Sequence, residues 1–347
     1  MSGPQPPSPE AGGRVDAGPD TERARPLVSV VVPVFNEEDS IRPFYDRLTQ
    51  AIAPLRAEFD FEILFTNNRS TDRTRERILE LRRQDPTVQV LTYSRNFGQH
   101  ASVCGGLRQA SGDAIVLIDV DCEDPPELIP EFIAGWREGY DIVYGQRRRR
   151  PEPGLITLAR KFFYRFMRAT ADAEIILDMA EFCLLASHAR DAVVFSRGVQ
   201  PFVRGEIAYY GFRRKGIRYD RQRRVAGRTH YDLWRMLEFA LQGILSATTL
   251  PLRLPVFLLP LLVLANAGLV ALWLAGNHPR AFDSLVLLDL LYLCVSIAFI
   301  GLFLGRAYRN VVARPLVTVD WRLSAVNTPP EWSPNASPRS GPRPRTP

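Results

Sequence analysis

Apolar positions along this chain follow two rhythms. Between residues 27 and 144 they come in short runs, each separated from the next by a longer stretch of mixed polarity. Leu27 to Phe35 (LVSVVVPVF) is the clearest run: β-branched, continuous and short, it predicts a strand buried on both faces, followed by a helix from Asp39 to about Ala53. Phe61 to Thr66, Val88 to Thr92, Ala114 to Asp119 and Asp141 to Tyr144 predict further strands, with helical stretches of suitable length between them. Such alternation implies an α/β fold with a mostly parallel sheet and helices on both faces. Ligands of open sheets of this kind sit beyond the carboxyl ends of the strands.

After residue 253 the rhythm changes. Leu254 to Gly276 carries no charge over about 23 residues, enough for a helix to cross a hydrocarbon core of about 30 Å. Ser284 to Gly305 repeats the pattern with one acid, Asp289, close enough to its start to sit at the interface without a role. The short polar loop Asn277-His278-Pro279-Arg280 makes the pair a hairpin. Arg253 precedes it, and Arg306, Arg309 and Arg314 come after it. The positive-inside rule then puts both flanks in the cytoplasm and the protein, multi-pass, in an inner or plasma membrane.

These patterns set the domain boundaries. Residues 1–26 are rich in Pro, Gly and charge with no apolar core, so they read as a disordered leader and not a signal peptide. Residues 27–231 form the cytoplasmic α/β domain, 232–253 an interfacial helix and 254–306 the hairpin. Residues 307–347 form a cytoplasmic tail, disordered from about 325.

Composition narrows the chemistry. A 46% apolar content supports a real core, and a formal charge of +6 favours an anionic partner: nucleic acid, an anionic membrane surface or a phosphorylated ligand. No nucleic-acid motif is recognisable, and that partner fits poorly beside a membrane hairpin. Cys104, Cys122, Cys183 and Cys294 show no Cys-x-x-Cys spacing, which argues against a zinc site or disulfide framework and suits a reducing compartment.

The stretch Ile118-Asp119-Val120-Asp121-Cys122-Glu123-Asp124-Pro125-Pro126-Glu127 sets carboxylates directly after a buried strand. Two aspartates at i and i+2 can turn oxygens to one hard cation, Mg2+ or Mn2+, that keeps part of its hydration and shares a diphosphate. The plain alternative is an acidic turn in which Asp124, before Pro125, caps the next helix.

Motif order decides between them. Pro33-Val34-Phe35-Asn36-Glu37, Ser70-Thr71-Asp72, Arg95-Asn96-Phe97-Gly98, Gly112-Asp113 and the Asp119/Asp121 pair with Pro125-Pro126-Glu127 occur in this order and at these intervals. Together they resemble the inverting GT-A-type nucleotide-sugar glycosyltransferases of family 2. Within these the chain is most similar to the polyprenyl-phosphate glycosyltransferases, the group of dolichol-phosphate mannose synthase and bacterial undecaprenyl-phosphate sugar transferases. The likeness continues through Gly145-Gln146-Arg147, Phe163-Tyr164, Arg204-Gly205, Gly211-Phe212, Arg224 to Tyr231 and Pro251-Leu252-Arg253, spanning about Leu27 to Leu323.

The resemblance implies a GT-A domain in which Pro33, Asn36, Glu37, Asn67, Asn68, Ser70 and Asp72, with Arg95, Asn96 and Gly98, bind a UDP- or GDP-sugar. Asp119, Asp121 and Glu123 would hold the metal, and Asp119, Asp121 and Glu181 would form the catalytic group. The nucleophile would be the phosphate of a polyprenyl phosphate, already anionic at neutral pH, so catalysis reduces to positioning and charge neutralisation. Two basic clusters, Arg147 to Arg165 and Arg213 to Arg228, suit phosphate and anionic lipid, with Arg147, Arg150 and Arg160 assigned to the acceptor phosphate. The stretch 155–169 interleaves apolar and basic residues like an interfacial helix, while Arg224 and Thr229 belong to a loop closing over the donor.

Departures matter too. Relatives carry Asp-Asp-Gly-Ser where this chain has Asn67-Asn68-Arg69-Ser70, which leaves donor identity open, and a Gly-Asp-Phe-Arg pattern becomes Ala180-Glu181-Phe182-Cys183, where Cys183 only packs. His100 reads as a capping or packing residue and His230 as a loop hydrogen-bonder, since this chemistry needs no base. The reading is a membrane-anchored hexosyltransferase that loads polyprenyl phosphate on the cytoplasmic face for cell-envelope glycans, compatible with a homo-oligomer. Its alternatives are a catalytically impaired scaffold and a processive polysaccharide synthase, though the latter's Gln-x-x-Arg-Trp is missing: no Arg-Trp pair occurs in this chain.

Overall fold

Val28, Val30, Val31 and Val32 are fully buried, so the first apolar run is covered on both faces, as its unbroken composition demands. It forms β1 (Leu27–Val34). The computed structural model describes residues 25–148, 179–194, 203–222, 248–276, 280–312 and 314–327. After β1 come α1 (Ile41–Ile52), β2 (Asp60–Asn67), α2 (Thr74–Gln84), β3 (Val88–Thr92), α3 (Gln99–Gln109) and β4 (Ala114–Leu117). Next are α4 (Ile129–Arg137), β5 (Ile142–Arg147), β6 (Met179–Ala186), α5 (Ser187–Val194), α6 (Val203–Tyr209) and β7 (Arg214–Tyr219). Two long helices complete the order, α7 (Leu250–Leu274) and α8 (Ala281–Val312).

Among the described residues, seven strands form one sheet in the order β3-β2-β1-β4-β6-β5-β7. β1 lies parallel to β2 and β4, β2 to β3, and β5 to β7. The expected α/β sheet is present, with an antiparallel strand that βα alternation does not announce: β6 runs between β4 and β5. Its register pairs Ala114 with Ala186 and Leu117 with Cys183. Alternate residues of β1 serve different cores. Val28, Val30 and Val32 join Phe44, Ile78 and Phe132 on the face of α1, α2 and α4, while Val31 joins Leu107 and Val193 on the face of α3 and α5.

The chain past α8 departs from the expected tail. Residues 314–327 return to the sheet and cover its edge strand β3. Val319 bridges Tyr93 and Ala325 bridges Val90, both antiparallel, and Asp320 N–H donates to the Thr92 carbonyl at 2.8 Å. Val317 and Val319 are buried in the α3-side core. The disorder expected from about 325 therefore does not hold at its start, since Ala325 pairs and Asn327 N–H donates to Gln89 Oε1 at 2.8 Å. The physical reason is that an edge strand leaves backbone groups unpaired, and the alternating Leu316-Val317-Thr318-Val319-Asp320-Trp321 can satisfy them.

α7 and α8 are long and apolar enough to cross a membrane, with mean hydropathies of 2.3 and 2.5 over 18-residue windows within Leu252–Leu274 and Ala281–Val312. α7 begins before the expected Leu254 and takes in Pro255 and Pro260 without ending; α8 runs past Gly305 to Val312. Asp289 is not at the helix start: it lies about 12 Å along α8, and Asn266 Nδ2 donates to its Oδ1 at 2.7 Å. Tyr292 Oη adds a bond to the Pro255 carbonyl at 3.0 Å. Residues 1–24 of the expected leader and the stretches around 155–169 and 232–247 lie outside the described residues, while Arg25 and Pro26, expected in the leader, are bonded to Asp60.

α3 presses closely on the sheet. A Cβ on Gly106 would stand 2.5 Å from Val31 Cγ1 and 2.6 Å from Thr66 Cγ2. Gly106→Ala should therefore destabilise the fold by about 1–3 kcal/mol despite alanine's better helix propensity, read as a lower unfolding midpoint of the purified protein. An unchanged or raised midpoint would show that α3 can shift away.

Candidate active site

β4 stops at Leu117, and the turn directly after it carries the acids. Continuing the β4–β6 register by two residues sets Asp119 opposite Glu181, which explains why residues so distant in sequence share one spot. The turn between Asp119 and Glu123 is tight. Cys122 takes a left-handed conformation with φ 59°, and Glu123 N–H donates to Asp121 Oδ1 at 3.0 Å. From the N-terminus of α3, Gln99 Nε2 lies 3.1 Å from Glu181 Oε2 and 3.5 Å from Asp119 Oδ1, one amide between two acids. Arg204 on α6 donates to the other Glu181 oxygen at 3.0 Å. Burial holds the proton affinity of Asp119 well above the usual carboxylate range, and the charges of Glu181, Asp121 and Asp124 push it further in that direction.

Such crowding is what a divalent cation would relieve. Among the described residues no three His, Cys, Asp or Glu side chains form a ready-made metal cage. Mg2+ and Mn2+ do not require one, since one or two carboxylates, water and a diphosphate complete the shell. Asp119 and Asp121 fit that donor set.

Glu123 and Arg147, expected at the metal and at the acceptor phosphate, each have protein partners in the structure. Glu123 pairs with Arg221, and its carbonyl accepts Gln222 N–H at 2.9 Å, so the acidic turn is stitched to the chain after β7. Arg147, expected at the acceptor phosphate, donates through Nη2 to Asp124 at 2.9 and 3.1 Å and through Nε to Tyr219 Oη at 3.3 Å. Tyr219 also donates to Asp124. This pair is sheltered, with side-chain exposures of 12% and 2%. Burial opposes the guanidinium charge, but Asp124 outweighs it and raises Arg147's proton affinity. Asp124 thus anchors the acidic turn to β5 and β7 and caps no helix with its side chain. Arg150, Arg160, Arg224 and Thr229 lie outside the described residues.

The expected donor residues do converge at the carboxyl ends of β1, β2 and β3, but they bind one another. Asn36, left-handed at φ 55°, accepts Thr71 N–H through Oδ1 at 2.8 Å, and its own N–H donates to Ser70 Oγ at 3.0 Å. Asn67 Oδ1 takes Ser70 N–H at 3.0 Å. Asn68 Oδ1 takes Phe97 N–H at 2.9 Å while its Nδ2 donates to Asn96 Oδ1 at 2.9 Å, which also accepts Gly98 N–H at 2.8 Å. Asp72 accepts Thr74 N–H and Oγ at the start of α2, and Glu37 accepts Ser40 Oγ at 2.7 Å. The Arg95 guanidinium lies over the Phe97 ring, 4.0 Å from its centroid. Pro33 is tolerated in β1 because β4 has already stopped pairing at Val31, so fewer ladder bonds are required there. An asparagine in place of aspartate at 68 is therefore an architectural choice, because a carboxylate cannot donate to Asn96.

Sequence reasoning missed Gln99, Arg204, Tyr219 and the anchoring use of Asp124. His100 is held neutral by burial, with Glu181 opposing and Arg204 adding to the effect. Cys183 packs as expected, its thiol pushed up to about 12 by burial.

Comparisons with known proteins give the family. The model of "Glycosyl transferase family 2" matches residues 29–191. An uncharacterized glycosyltransferase of Synechocystis is 33% identical over 308 residues, covering 85% of this chain and 96% of that protein. The SfII prophage-derived bactoprenol glucosyl transferase of Shigella flexneri is 34% identical over 301 residues, covering 83% and 96%. Among solved structures, a mannosyltransferase of Pyrobaculum calidifontis in complex with GDP-Man and Mn2+ is 20% identical, with a TM-score of 0.43 over 85% of this chain and 90% of that one.

The bonding fixes two outcomes. Arg147→Ala strands the buried Asp124 charge and should cost about 3–5 kcal/mol of stability in chemical unfolding; a loss below about 1 kcal/mol, with only the lipid dependence changed, would restore the acceptor-phosphate role. Asn68→Asp removes the donor to Asn96 and sets a carboxylate against its oxygen, for a loss of about 1–3 kcal/mol seen as a lowered melting midpoint. A neutral result would mean that the loops are held without this bond.

Proposed function

The chain belongs to glycosyl transferase family 2, and on that footing we propose that it moves one hexose from a UDP- or GDP-sugar to a polyprenyl phosphate, inverting the anomeric carbon. The observation that carries this reading is the register that sets Asp119 opposite Glu181 at the carboxyl edge of the sheet, with Asp121 in the same acidic turn, on a chain that also bears α7 and α8. Bactoprenol glucosyl transferases match it at 33–34% identity over 83% of its length, which supports the lipid acceptor.

Asp119 and Asp121 would hold Mg2+ or Mn2+ against the diphosphate of the donor. When bound, the cation neutralises charge growing on the departing nucleoside diphosphate. The protein's own residues do the positioning. Gln99 and Arg204 keep Glu181 in place, and the Asp124–Arg147–Tyr219 cluster fixes the acidic turn from below. The α3 N-terminus, directly beside Asp119, adds backbone N–H groups that favour an anionic ligand. An acceptor phosphate is already ionised, so no side chain must remove a proton from it, and the inverting step is a direct attack on the anomeric carbon.

α7 and α8 would cross the membrane as a hairpin. Arg253 at one end and Arg306, Arg309 and Arg314 at the other favour the cytoplasmic side for both flanks. A lipid phosphate at that surface then lies within reach of a domain tethered to it.

Asp121→Asn should lower transfer by about 100-fold or more while leaving the melting midpoint within about 1 °C, because asparagine keeps an oxygen to accept Glu123 N–H and removes only the charge that would meet the cation. The assay uses the full chain in detergent with Mn2+ or Mg2+, undecaprenyl phosphate and labelled nucleotide sugars, counting sugar that becomes lipid-extractable. Undiminished transfer in this variant would sink the assignment.

A further inference from the structure

Arg69 stands in a left-handed backbone conformation, φ 63°, which residues with a Cβ seldom adopt. It sits in the densest part of the asparagine network, between Asn68 and Ser70, yet does not join it. Asn67 and Asn68 turn their oxygens to backbone amides of Ser70 and Phe97, so the two residues best placed to accept a base N–H are already engaged. The Arg69 side chain is 44% exposed. Its Nη1 reaches Asp320 Oδ2 at 3.3 Å, a long contact that engages one of five N–H donors. Phe35, 43% exposed, ends β1 on the adjoining loop, which the Asn36 to Ser70 bond ties to this one.

Asp320 is itself well placed to aim a partner. It lies in the segment that returns from α8, its N–H is bonded to the Thr92 carbonyl, and its Oδ1 accepts Arg322 N–H at 3.2 Å. The contact to Arg69 spans 251 residues of sequence. A side chain from beyond the apolar helices thereby reaches the loop that the rest of the site devotes to the donor.

We propose that Arg69 reads the nucleobase of the donor, and that Asp320 is the positioning residue that aims its guanidinium. The inference rests on the nucleotide-sugar reading and names the residue of this chain that would select among bases. A guanidinium is suited to reading a base, because its planar face stacks on the ring and its edge donates to carbonyl oxygens. Exposed Phe35 offers a second flat surface on the loop that the Asn36 to Ser70 bond ties to this one. Donor recognition in this chain then depends on residues 314–327 being docked on β3.

The test measures equilibrium binding of UDP, GDP and ADP, each with Mn2+, to the full chain in detergent. The unaltered chain should prefer one nucleotide. Arg69→Ala should weaken that nucleotide about tenfold and bring its affinity close to that of the others, the loss expected for a charge-assisted contact. Arg69→Gly should do the same even though it relieves the backbone, and Arg69→Lys should retain part of the preference. Asp320→Asn should weaken the preferred nucleotide by about threefold. A purely structural latch predicts otherwise: unchanged ratios among nucleotides in Arg69→Ala and Arg69→Gly, whatever happens to the melting midpoint, would overturn the proposal. If the unaltered chain binds none of the three nucleotides, the donor reading falls and this inference falls with it.

Discussion

Like charges brought within a few ångströms of one another in a partly dry environment repel strongly, and Asp119, Asp121, Asp124 and Glu181 are gathered at one end of one sheet. The rest of the site is arranged around tolerating that. Asp124 is neutralised outright by Arg147 and Tyr219. Glu181 is held by Arg204 on one oxygen and by Gln99 on the other. Asp119 is left with the largest share of the imbalance, and with the amide of Gln99 at the long distance of 3.5 Å. Such an imbalance is what a bound cation would relieve, which favours the proposed metal-assisted chemistry over a purely structural cluster.

What the sequence reveals about this site is residue type and order; what it conceals is pairing. The run Leu27–Val34 announces its strand because a parallel central strand is apolar throughout, and the acids after Leu117 announce a ligand site because they follow such a strand. β6 is harder to read: Met179–Ala186 has no βα alternation to mark it as a sheet member, and its antiparallel entry decides which acid faces Asp119. Arg147 and Glu123 look free in sequence because their partners, Asp124 with Tyr219 and Arg221, come into range only when β5, β7 and the acidic turn are assembled. Asn67 and Asn68 look like altered specificity for the same reason. Their bonds to Ser70, Phe97 and Asn96 cross loops that periodicity does not connect. The alternation of Leu316 to Trp321 is a strand signal in plain view, obscured by the Pro- and Ser-rich composition of the last twenty or so residues.

The domain is consequently discontinuous in sequence. Its edge strand is finished by residues 314–327, which cannot arrive until α7 and α8 have been made and folded back. Asn266 and Asp289 bind α7 to α8, a polar tie between two largely apolar helices. Register of the two helices therefore bears on where the returning segment emerges, and through it on the covering of β3.

Among the described residues, three non-glycine positions have positive φ: Asn36, Arg69 and Cys122. They follow β1, β2 and β4 respectively, so every one lies at the ligand end of the sheet and none at the opposite end. Each costs roughly 1 kcal/mol or more of backbone strain and persists because its surroundings fix it. Asn36 is fixed by Ser70 and Thr71, Cys122 by the Asp121 to Glu123 bond and burial, and Arg69 by the Ser70 N–H to Asn67 Oδ1 bond that spans it and, through its side chain, by Asp320. The first two anchors are local, within loops that meet anyway. The Asp320 anchor comes from the far end of the fold, so of the three strained turns only the one at Arg69 is tied to the segment beyond the apolar helices. The side-chain tie to Asp320 is lost when that segment leaves, whereas the local bonds are not. That difference makes the loop after β2 the part of the site most sensitive to how the C-terminal segment is seated.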